Sequence, residues 1–216
     1  MKINADLTQR AIVASSELPW VDSPLPGVQR RMLERDGDEV ARATSLVSYA
    51  PGSHFSAHRH DAGEEFFVLE GTFSDEAGDF HAGTYVRNPP GSGHRPRSEP
   101  GCILFVKLRQ IVPADQTHVC IDTTAGTWTP GDVKGMQVMP LHEFRAERVS
   151  LVRLEPNTRC NPQGYPEGGE IYVLSGVLAD EHGAYPEGTW IRNPPGSVHT
   201  PKSESGCTYY LKTGHL

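Results

Sequence analysis

Three histidines and one glutamate in the amino-terminal half have the residue types and spacing of a metal site. His58 and His60 are separated by one residue, Glu64 follows His60 by four residues, and His94 comes 30 residues after Glu64. Imidazole nitrogens and carboxylate oxygens bind divalent cations. If these four side chains meet, they can hold one divalent metal ion.

These four residues can meet only if the chain between them folds back as antiparallel strands. Side chains in a strand alternate between its two faces, so His58 and His60 point to the same side. A short turn then leads to Glu64 at the start of the next strand. The Asn-Pro-Pro-Gly run at 88–91 predicts a tight loop just before His94.

Other residues compete for a place in this set. Glu65 can also begin the strand, but it would face the opposite side from Glu64, and we prefer Glu64 as the ligand. His54 lies four residues before His58, which is two periods of the side-chain alternation in a strand. It either lines the mouth of the pocket or is simply exposed. The remaining histidines lie among polar or turn residues and are expected at the solvated surface: His81, His118, His142, His182 and His215.

The chain repeats itself at an offset of 105 residues. Residues 83–94, GTYVRNPPGSGH, match residues 188–199, GTWIRNPPGSVH. The same offset places EFFVLEG at 65–71 over EIYVLSG at 170–176. This agreement indicates an internal duplication.

Strand and turn signals alternate along both copies. Short segments rich in Val, Ile, Phe, Tyr and Leu are separated by Gly, Pro, Asp and Asn clusters about every 8 to 12 residues. With 22 Gly and 18 Pro in 216 residues, the chain is richer in turn formers than the usual 12% or so. We predict an all-β fold of two tandem antiparallel jelly-roll barrels. The first should span 18–112 and the second 127–216, with a linker at 113–126.

The complete ligand set is present in the first copy only. Of its members, His94 alone keeps a counterpart, which is His199. The other three positions differ: Gln163 stands for His58, Tyr165 for His60 and Gly169 for Glu64. Because the second copy is expected to fold without the set, as a degenerate barrel, a metal in the first copy is predicted to serve function and not folding.

The remaining sequence features restrict the kind of chemistry. Phe66, Val68 and Tyr85 fall at strand positions predicted to line the barrel interior, which would make the cavity mostly apolar. We find no nucleophile elbow, phosphate-binding glycine loop, dinucleotide fingerprint or Ser/His/Asp set. Any chemistry is therefore expected to depend on the metal, acting on a small-molecule ligand or substrate.

Charge and hydropathy argue against several partners. The net charge is −7 and no Lys/Arg cluster is present, which disfavours nucleic acid and anionic membranes. No apolar run is long enough for a signal-peptide core or a membrane span, so we expect a cytoplasmic protein. The four cysteines form no CxxC pair and are expected to be reduced thiols. Barrels of this type also associate through sheet edges or faces, so a homo-oligomer is compatible with the sequence.

The spaced framework around the candidate ligands resembles the two signature motifs of the cupin superfamily. Ser98 stands where the second motif often has Asn. The resemblance covers nearly the whole chain, which implies a bicupin whose metal ligands are His58, His60, Glu64 and His94. The residues that carry it are Gly52, His58, His60, Glu64 and Gly71 for the first motif, and Gly83, Pro89, Gly91 and His94 for the second.

The segment that begins at His58, HRHDAGEEFFVLEGTFSDEAGDFHAGTYVRNPPGSGHRP, is similar to the cupin-like domain of the anti-sigma factor ChrR. In that family the corresponding residues bind zinc, so the resemblance implies a zinc-binding protein with a sensory or ligand-binding role. The sequence has no His-x3-Cys-x2-Cys pattern of the helical zinc domain that holds a sigma factor. Sigma-factor binding is therefore not expected.

A second hypothesis is an enzyme. The ligand set also suits Fe(II), Mn(II) or Ni(II), and the predicted apolar cavity is similar to that of small cupin dioxygenases. Such enzymes cleave diketones or dihydroxyacetophenones, which would make the substrate a small diketone or aromatic ketone. The metal present in the native protein is the observation that would separate the two hypotheses.

Overall fold

The structure, a computed structural model, describes all residues from Met1 to Leu216, and its regular secondary structure is almost entirely antiparallel strands. Its one helical segment is the 3-10 turn Ser15–Glu17. The predicted all-β class, with two tandem barrels, is confirmed. No helix is long and apolar enough to cross a membrane.

The strands are numbered here in chain order. The first fourteen are β1 (Lys2–Ile3), β2 (Ala11–Ala14), β3 (Val21–Asp22), β4 (Val28–Gly37), β5 (Ala41–Tyr49), β6 (Ser53–His54), β7 (His58–His60), β8 (Glu64–Asp75), β9 (Gly78–His81), β10 (Thr84–Asn88), β11 (Ser92–His94), β12 (Arg97–Ser98), β13 (Cys102–Leu108) and β14 (Val119–Asp122). The others are β15 (Thr129–Pro130), β16 (Met136–Phe144), β17 (Glu147–Leu154), β18 (Thr158–Arg159), β19 (Gln163–Tyr165), β20 (Gly169–Asp180), β21 (Gly183–Pro186), β22 (Thr189–Asn193), β23 (Ser197–His199), β24 (Lys202–Ser203) and β25 (Cys207–Thr213).

The first compact unit comprises residues 1–5 and 18–126. Its main sheet has the strand order β1-β4-β5-β13-β8-β10-β14, and β7 and β11 form a separate two-stranded sheet. The apolar side chains on one face of the main sheet form the interior core. The buried members of this core are Val28, Tyr49, Phe66, Val68, Phe73, Phe80, Val86, Cys102, Leu104 and Val106.

Tyr85 is the exception among the residues predicted to line this interior. Phe66 and Val68 are in the core cluster, but the neighbouring Val86 takes the inward position on β10, so Tyr85 lies on the opposite face of the sheet. There its hydroxyl donates to Glu65 Oε2 at 2.9 Å. Every residue of β10 is buried, so the strand lacks the polar alternation that would have revealed which face is inside.

The second compact unit comprises residues 6–17 and 127–216. Its main sheet, in the order β15-β16-β17-β25-β20-β22-β2, repeats the arrangement of the first unit, and β19 and β23 form the small sheet. Its interior core contains Val152, Leu154, Cys160, Ile171, Val173, Leu178, Tyr185, Ile191, Cys207 and Tyr209. Cys102, Cys160 and Cys207 are buried, Cys120 is exposed, and none forms a disulfide.

The edge strand of each unit comes from the segment that precedes the other copy. The segment 113–126, predicted to be a linker, instead supplies β14, which pairs with β10 in the first unit. Asp115 fastens this segment, because its Oδ2 accepts from Arg87 Nη2 at 2.8 Å. In the second unit β2 pairs with β22, and Arg192 Nη2 donates to the carbonyl of Asp6 at 2.8 Å.

Candidate metal centre

The small sheet of the first unit positions the three histidines. On β7 and β11, His58 is directly opposite His94, and His60 is opposite Ser92. A turn closed by the Gly63 amide, which donates to the His60 carbonyl at 3.1 Å, brings Glu64 to the start of β8. Gly63 has a φ of +75°, and a Cβ there would lie 2.7 Å from Ile111 Cδ1, so this turn requires glycine.

All four predicted ligands come together. One ring nitrogen from each of His58, His60 and His94 lies within 4.8 Å of the others. The Nε2 atoms of His60 and His94 are 2.9 Å apart. Glu64 Oε2 is 3.3 Å from His60 Nε2 and 3.5 Å from His94 Nε2. The alternative ligand, Glu65, faces away and accepts from Arg87 Nη1 at 2.7 Å.

These distances fit a bound cation. With metal–ligand bonds of about 2.1 Å, neighbouring ligand atoms are separated by about 3.0 Å at right angles and about 3.4 Å at tetrahedral angles. The separations among His60 Nε2, His94 Nε2 and Glu64 Oε2 are 2.9, 3.3 and 3.5 Å and cover this interval. The His58 ring nitrogen lies within the wider limit of 4.8 Å from the other two imidazoles. Lone pairs held this close repel unless a proton or a cation lies between them. The donor set therefore suits a divalent metal ion.

Hydrogen bonds outside this cluster orient its members. His94 Nδ1 lies 3.0 Å from Asp75 Oδ2, and His58 Nδ1 lies 2.9 Å from the Ser56 carbonyl. Donation from Nδ1 in both rings leaves Nε2 free to bind an ion. Asn88 Nδ2 is 3.4 Å from Glu64 Oε2, which it restrains as a weak donor.

The two buried imidazoles have opposite pKa shifts. Burial, with a smaller contribution from the neighbouring imidazoles, lowers the pKa of His60 despite the opposing charge of Glu64. Burial acts in the same direction on His94, but the hydrogen bond that its Nδ1 donates to Asp75 and the charges of the nearby carboxylates outweigh it and raise the pKa of His94. The neutral form of His60, which can bind a metal, is therefore favoured at neutral pH. At His94 a metal competes more strongly with a proton.

Asp75 is a site residue that the spacing of the ligands does not indicate. It ends β8, and its pKa is lowered because hydrogen bonds from His94 and the Ala77 amide outweigh the effect of burial. The duplication carried the signal for it. Asp75 and His94 are both retained at the offset of 105, as Asp180 and His199.

The other histidines occupy varied environments. Four of them are exposed: His54, His81, His118 and His182. Exposure was one of the two alternatives for His54 and the prediction for the other three. His142 is only half-buried. The prediction of a surface position is wrong for His215, whose side chain is 1% exposed, with Nε2 3.2 Å from Glu170 Oε1. Proximity to the chain end gave no indication of this buried ion pair.

In the second unit a tyrosine occupies the place of the metal ligands. Tyr165 stands at the position of His60, and its hydroxyl lies 2.7 Å from His199 Nε2. His199 Nδ1 is 3.1 Å from Asp180 Oδ2. A Cβ on Gly169, which corresponds to Glu64, would lie 2.7 Å from Tyr165 Cδ1. The phenol ring therefore takes space that a carboxylate at this position would need, and its hydroxyl satisfies the histidine nitrogen.

A cavity of about 410 Å³ in the first unit reaches the histidine cluster. His58, His60 and Glu64 form part of its wall. Most of the remaining wall is apolar and includes Val28, Val47, Phe73, Leu104 and Val106. A volume of this size is typical of a site for a small molecule.

Two barrels with this topology, one carrying a histidine-glutamate cluster beside its cavity, define a cupin protein with two cupin domains. The sequence matches the model of the ChrR cupin-like domain over residues 8–112 and again over residues 116–216. The chain therefore belongs to the ChrR cupin-like domain family. No curated protein has a significant sequence match to it.

Solved structures of low sequence identity share the fold. A candidate dioxygenase from Nostoc punctiforme has a TM-score of 0.80 at 15% identity, over 97% of this chain and 84% of its own. The protein YlbA from E. coli has a TM-score of 0.75 at 15% identity, over 98% and 93%. Oxalate decarboxylase from Bacillus subtilis has a TM-score of 0.63 at 14% identity, over 94% and 75%. At these identities the likeness shows the fold alone.

Proposed function

We propose that this protein binds one divalent metal ion, zinc in the first instance, through His58, His60, Glu64 and His94. The observation that carries the proposal is the convergence of three imidazole nitrogens, all within 4.8 Å of one another, with Glu64 Oε2 at 3.3 Å from His60 Nε2 and 3.5 Å from His94 Nε2. The second unit supports a functional role for the ion, because the same barrel is built there with Tyr165 in place of the ligand set.

The proposed role of the ion is to take part in binding a small molecule, as a sensory or ligand-binding module. His58, His60 and Glu64 line the cavity, so a ligand in the cavity can reach the ion. Asp75 and Ser56 keep the histidine rings oriented, and Asn88 restrains the carboxylate. A bound ion would supply Lewis-acid polarisation of a ligand oxygen. We place this activity in the cytoplasm and without a sigma-factor partner.

A metal-dependent dioxygenase acting on a small diketone or aromatic ketone is the second candidate. The observation that favours it is the direct opening of the apolar cavity onto the candidate ligands, an arrangement that excludes water around a reacting substrate. The candidate dioxygenase from Nostoc punctiforme has the same fold. In this case the native ion is expected to be iron, manganese or nickel.

Metal analysis of the protein purified without added metal or chelator tests both candidates. One equivalent of zinc per chain, with no oxygen uptake on addition of acetylacetone or 2,4′-dihydroxyacetophenone, supports the binding module. One equivalent of iron, manganese or nickel with substrate-dependent oxygen uptake supports the dioxygenase. Fewer than about half an equivalent of any divalent ion, also after incubation with each metal in turn, would contradict metal binding itself.

A further inference from the structure

Besides the histidine cluster, the cavity wall includes the charged side chain of Arg30. This residue follows Val28 by two positions on β4, so its side chain is on the same face as the core residue Val28. Arg30 lines the cavity and its side chain is 22% exposed. Its guanidinium makes no hydrogen bond within the protein, and its only ion pair, with Glu39, is 3.8 Å long.

The internal duplication shows that the barrel does not need this arginine. Arg30 pairs with Val47 across β4 and β5, and the equivalent pair in the second unit is Val138 with Val152. A valine therefore occupies the position of Arg30 where the candidate ligand set is also missing. An arginine in an apolar wall loses hydration and side-chain freedom. Its presence in the first unit alone points to a ligand.

Tyr49 is a second polar group in the same wall that makes no hydrogen bond within the protein. Its ring packs edge-on against Phe55 and Phe73, at 5.3 and 5.8 Å between centroids. Its hydroxyl makes no hydrogen bond within the protein, and the residue at the same position in the second unit is Leu154. An aromatic side chain with a free hydroxyl can pack against an apolar ligand and donate to its oxygen.

We propose that the cavity binds a small aromatic or aliphatic organic acid, with the carboxylate on Arg30, the apolar body against the barrel wall and a hydrogen bond from Tyr49. This inference rests on the proposed function, since the other end of the ligand would face the metal centre. The guanidinium fork suits a planar carboxylate. Glu39 is 71% exposed, so its long ion pair is weakened by solvent and gives way to the ligand.

Calorimetric titration with matched probes tests the inference. The probes are benzoate, phenylacetate and 3-phenylpropionate, each compared with its neutral amide, on metal-free and zinc-loaded protein. At least one acid is expected to bind about tenfold more tightly than its amide in both forms, because a charge-assisted hydrogen bond is about twice as strong as a neutral one. Arg30→Gln should remove this preference, and Tyr49→Phe should weaken binding of the acid several-fold.

Two further variants control the test. Arg31 is the next residue on the same strand but stacks on Trp20, 4.5 Å from the ring centre, on the other face of the sheet. Arg31→Gln should therefore keep the acid preference, whereas Glu39→Gln, which frees Arg30, should strengthen it.

Three outcomes would overturn the inference: no binding of any acid at millimolar concentration, equal binding of acids and amides, or an unchanged preference in Arg30→Gln. If the protein binds zinc and any of these is found, the inference fails and the metal site stands. An acid preference in a protein that binds no metal would instead contradict the proposed function and retain the organic-acid site.

Discussion

The two barrels have the same Asp–His pair at equivalent positions, but the histidine Nε2 has a different partner in each. In the first, His94 is held by Asp75, and its free Nε2 faces His60 and Glu64. In the second, the equivalent His199 is held by Asp180, but its Nε2 meets the Tyr165 hydroxyl. The Asp–His pair is thus a shared element of the barrel. The two sites differ in the residue that faces this histidine: it is His60 in the candidate metal centre and Tyr165 in the hydrogen-bond network of the second barrel.

This difference separates the residues needed for folding from those needed for function. The second network is closed, because Asp180 also accepts from Arg10 Nη2 and the Tyr185 hydroxyl, each at 2.7 Å. In the first unit, the histidine cluster brings basic nitrogens together without a tyrosine hydroxyl between them, and it borders a cavity. A barrel that can replace three ligands with Gln163, Tyr165 and Gly169 does not require the ion for its fold. The predictions below break or sharpen this comparison.

The largest expected effect is the loss of the ion from the first barrel. His60→Ala should lower metal affinity by more than about 100-fold, since losing a direct ligand exceeds the 10- to 100-fold effect typical of outer hydrogen-bond partners. Circular dichroism should remain that of a β-protein. His199→Ala is the matched control and should keep one equivalent of metal by elemental analysis. Global unfolding of His60→Ala would show that the ion is needed for folding.

A gain of metal in the second barrel would sharpen the comparison further. The variant combines Gln163→His, Tyr165→His and Gly169→Glu. A Cβ at position 169 would lie 2.7 Å from Tyr165 Cδ1, and removal of the phenol ring makes room for it. Asp180 already orients His199 as Asp75 orients His94. Elemental analysis should rise from one to two equivalents per chain. A folded variant that still binds one would show that the two backbones differ at the site.

The same substitution in the two Asp–His pairs should have different results. Asp75→Asn weakens the orientation of His94, and metal affinity should fall about 10- to 100-fold in a competition assay with a chelating dye. Asp180→Asn should leave metal affinity unchanged. Equal metal loss in both variants would contradict the assignment of the ion to the first barrel.

Asp180→Asn should act on stability instead, with a defined pH dependence. Although burial opposes ionisation, hydrogen bonds from Tyr185, Arg10 and His199 lower the pKa of Asp180 to about 2. Because this folded-state pKa lies below that of an unfolded aspartate, the carboxylate stabilises the fold above pH ~4, and this is lost as the pH falls towards 2. Urea denaturation at pH 7 should show a loss of about 2–3 kcal/mol in Asp180→Asn. A loss equal at pH 7 and pH 2 would contradict this origin.

The smallest expected effect is on the closure of the second network. Tyr165→Phe removes the hydroxyl that lies 2.7 Å from His199 Nε2, and it leaves the ring in place. The free energy of unfolding should fall by about 1–2 kcal/mol, because His199 Nε2 then lacks a partner in a buried site. Metal content should not change. A stability equal to that of the unsubstituted protein would mean that water replaces the hydroxyl.

Much of this arrangement is visible in the sequence because it depends on local rules. The period of two places His58 and His60 together, and the repeated Asn-Pro-Pro-Gly loop marks the turn before His94. The duplication then reveals the degenerate copy. These signals also predict the barrel class, since each acts within a few residues or through the internal repeat.

The remaining features depend on partners far away in the chain. The four-residue strands β2 and β14 are too short to show which barrel each would join, and Asp115 reveals its role only beside Arg87. Because β10 is buried on both faces, its sequence pattern does not indicate that the buried Tyr85 side chain lies on the sheet face opposite the barrel interior. Arg30 resembles the adjacent Arg31 in sequence, and only strand geometry separates the cavity residue from the one stacked on Trp20.

Anomalous diffraction from crystals of the protein with its native metal tests the central claim most directly. The account predicts one peak per chain, about 2.0–2.2 Å from the Nε2 atoms of His58, His60 and His94 and from a Glu64 oxygen. No peak should lie near His199 in the second barrel. An ordered first barrel with these four side chains turned apart and no peak between them, in crystals grown with zinc or iron, would contradict it.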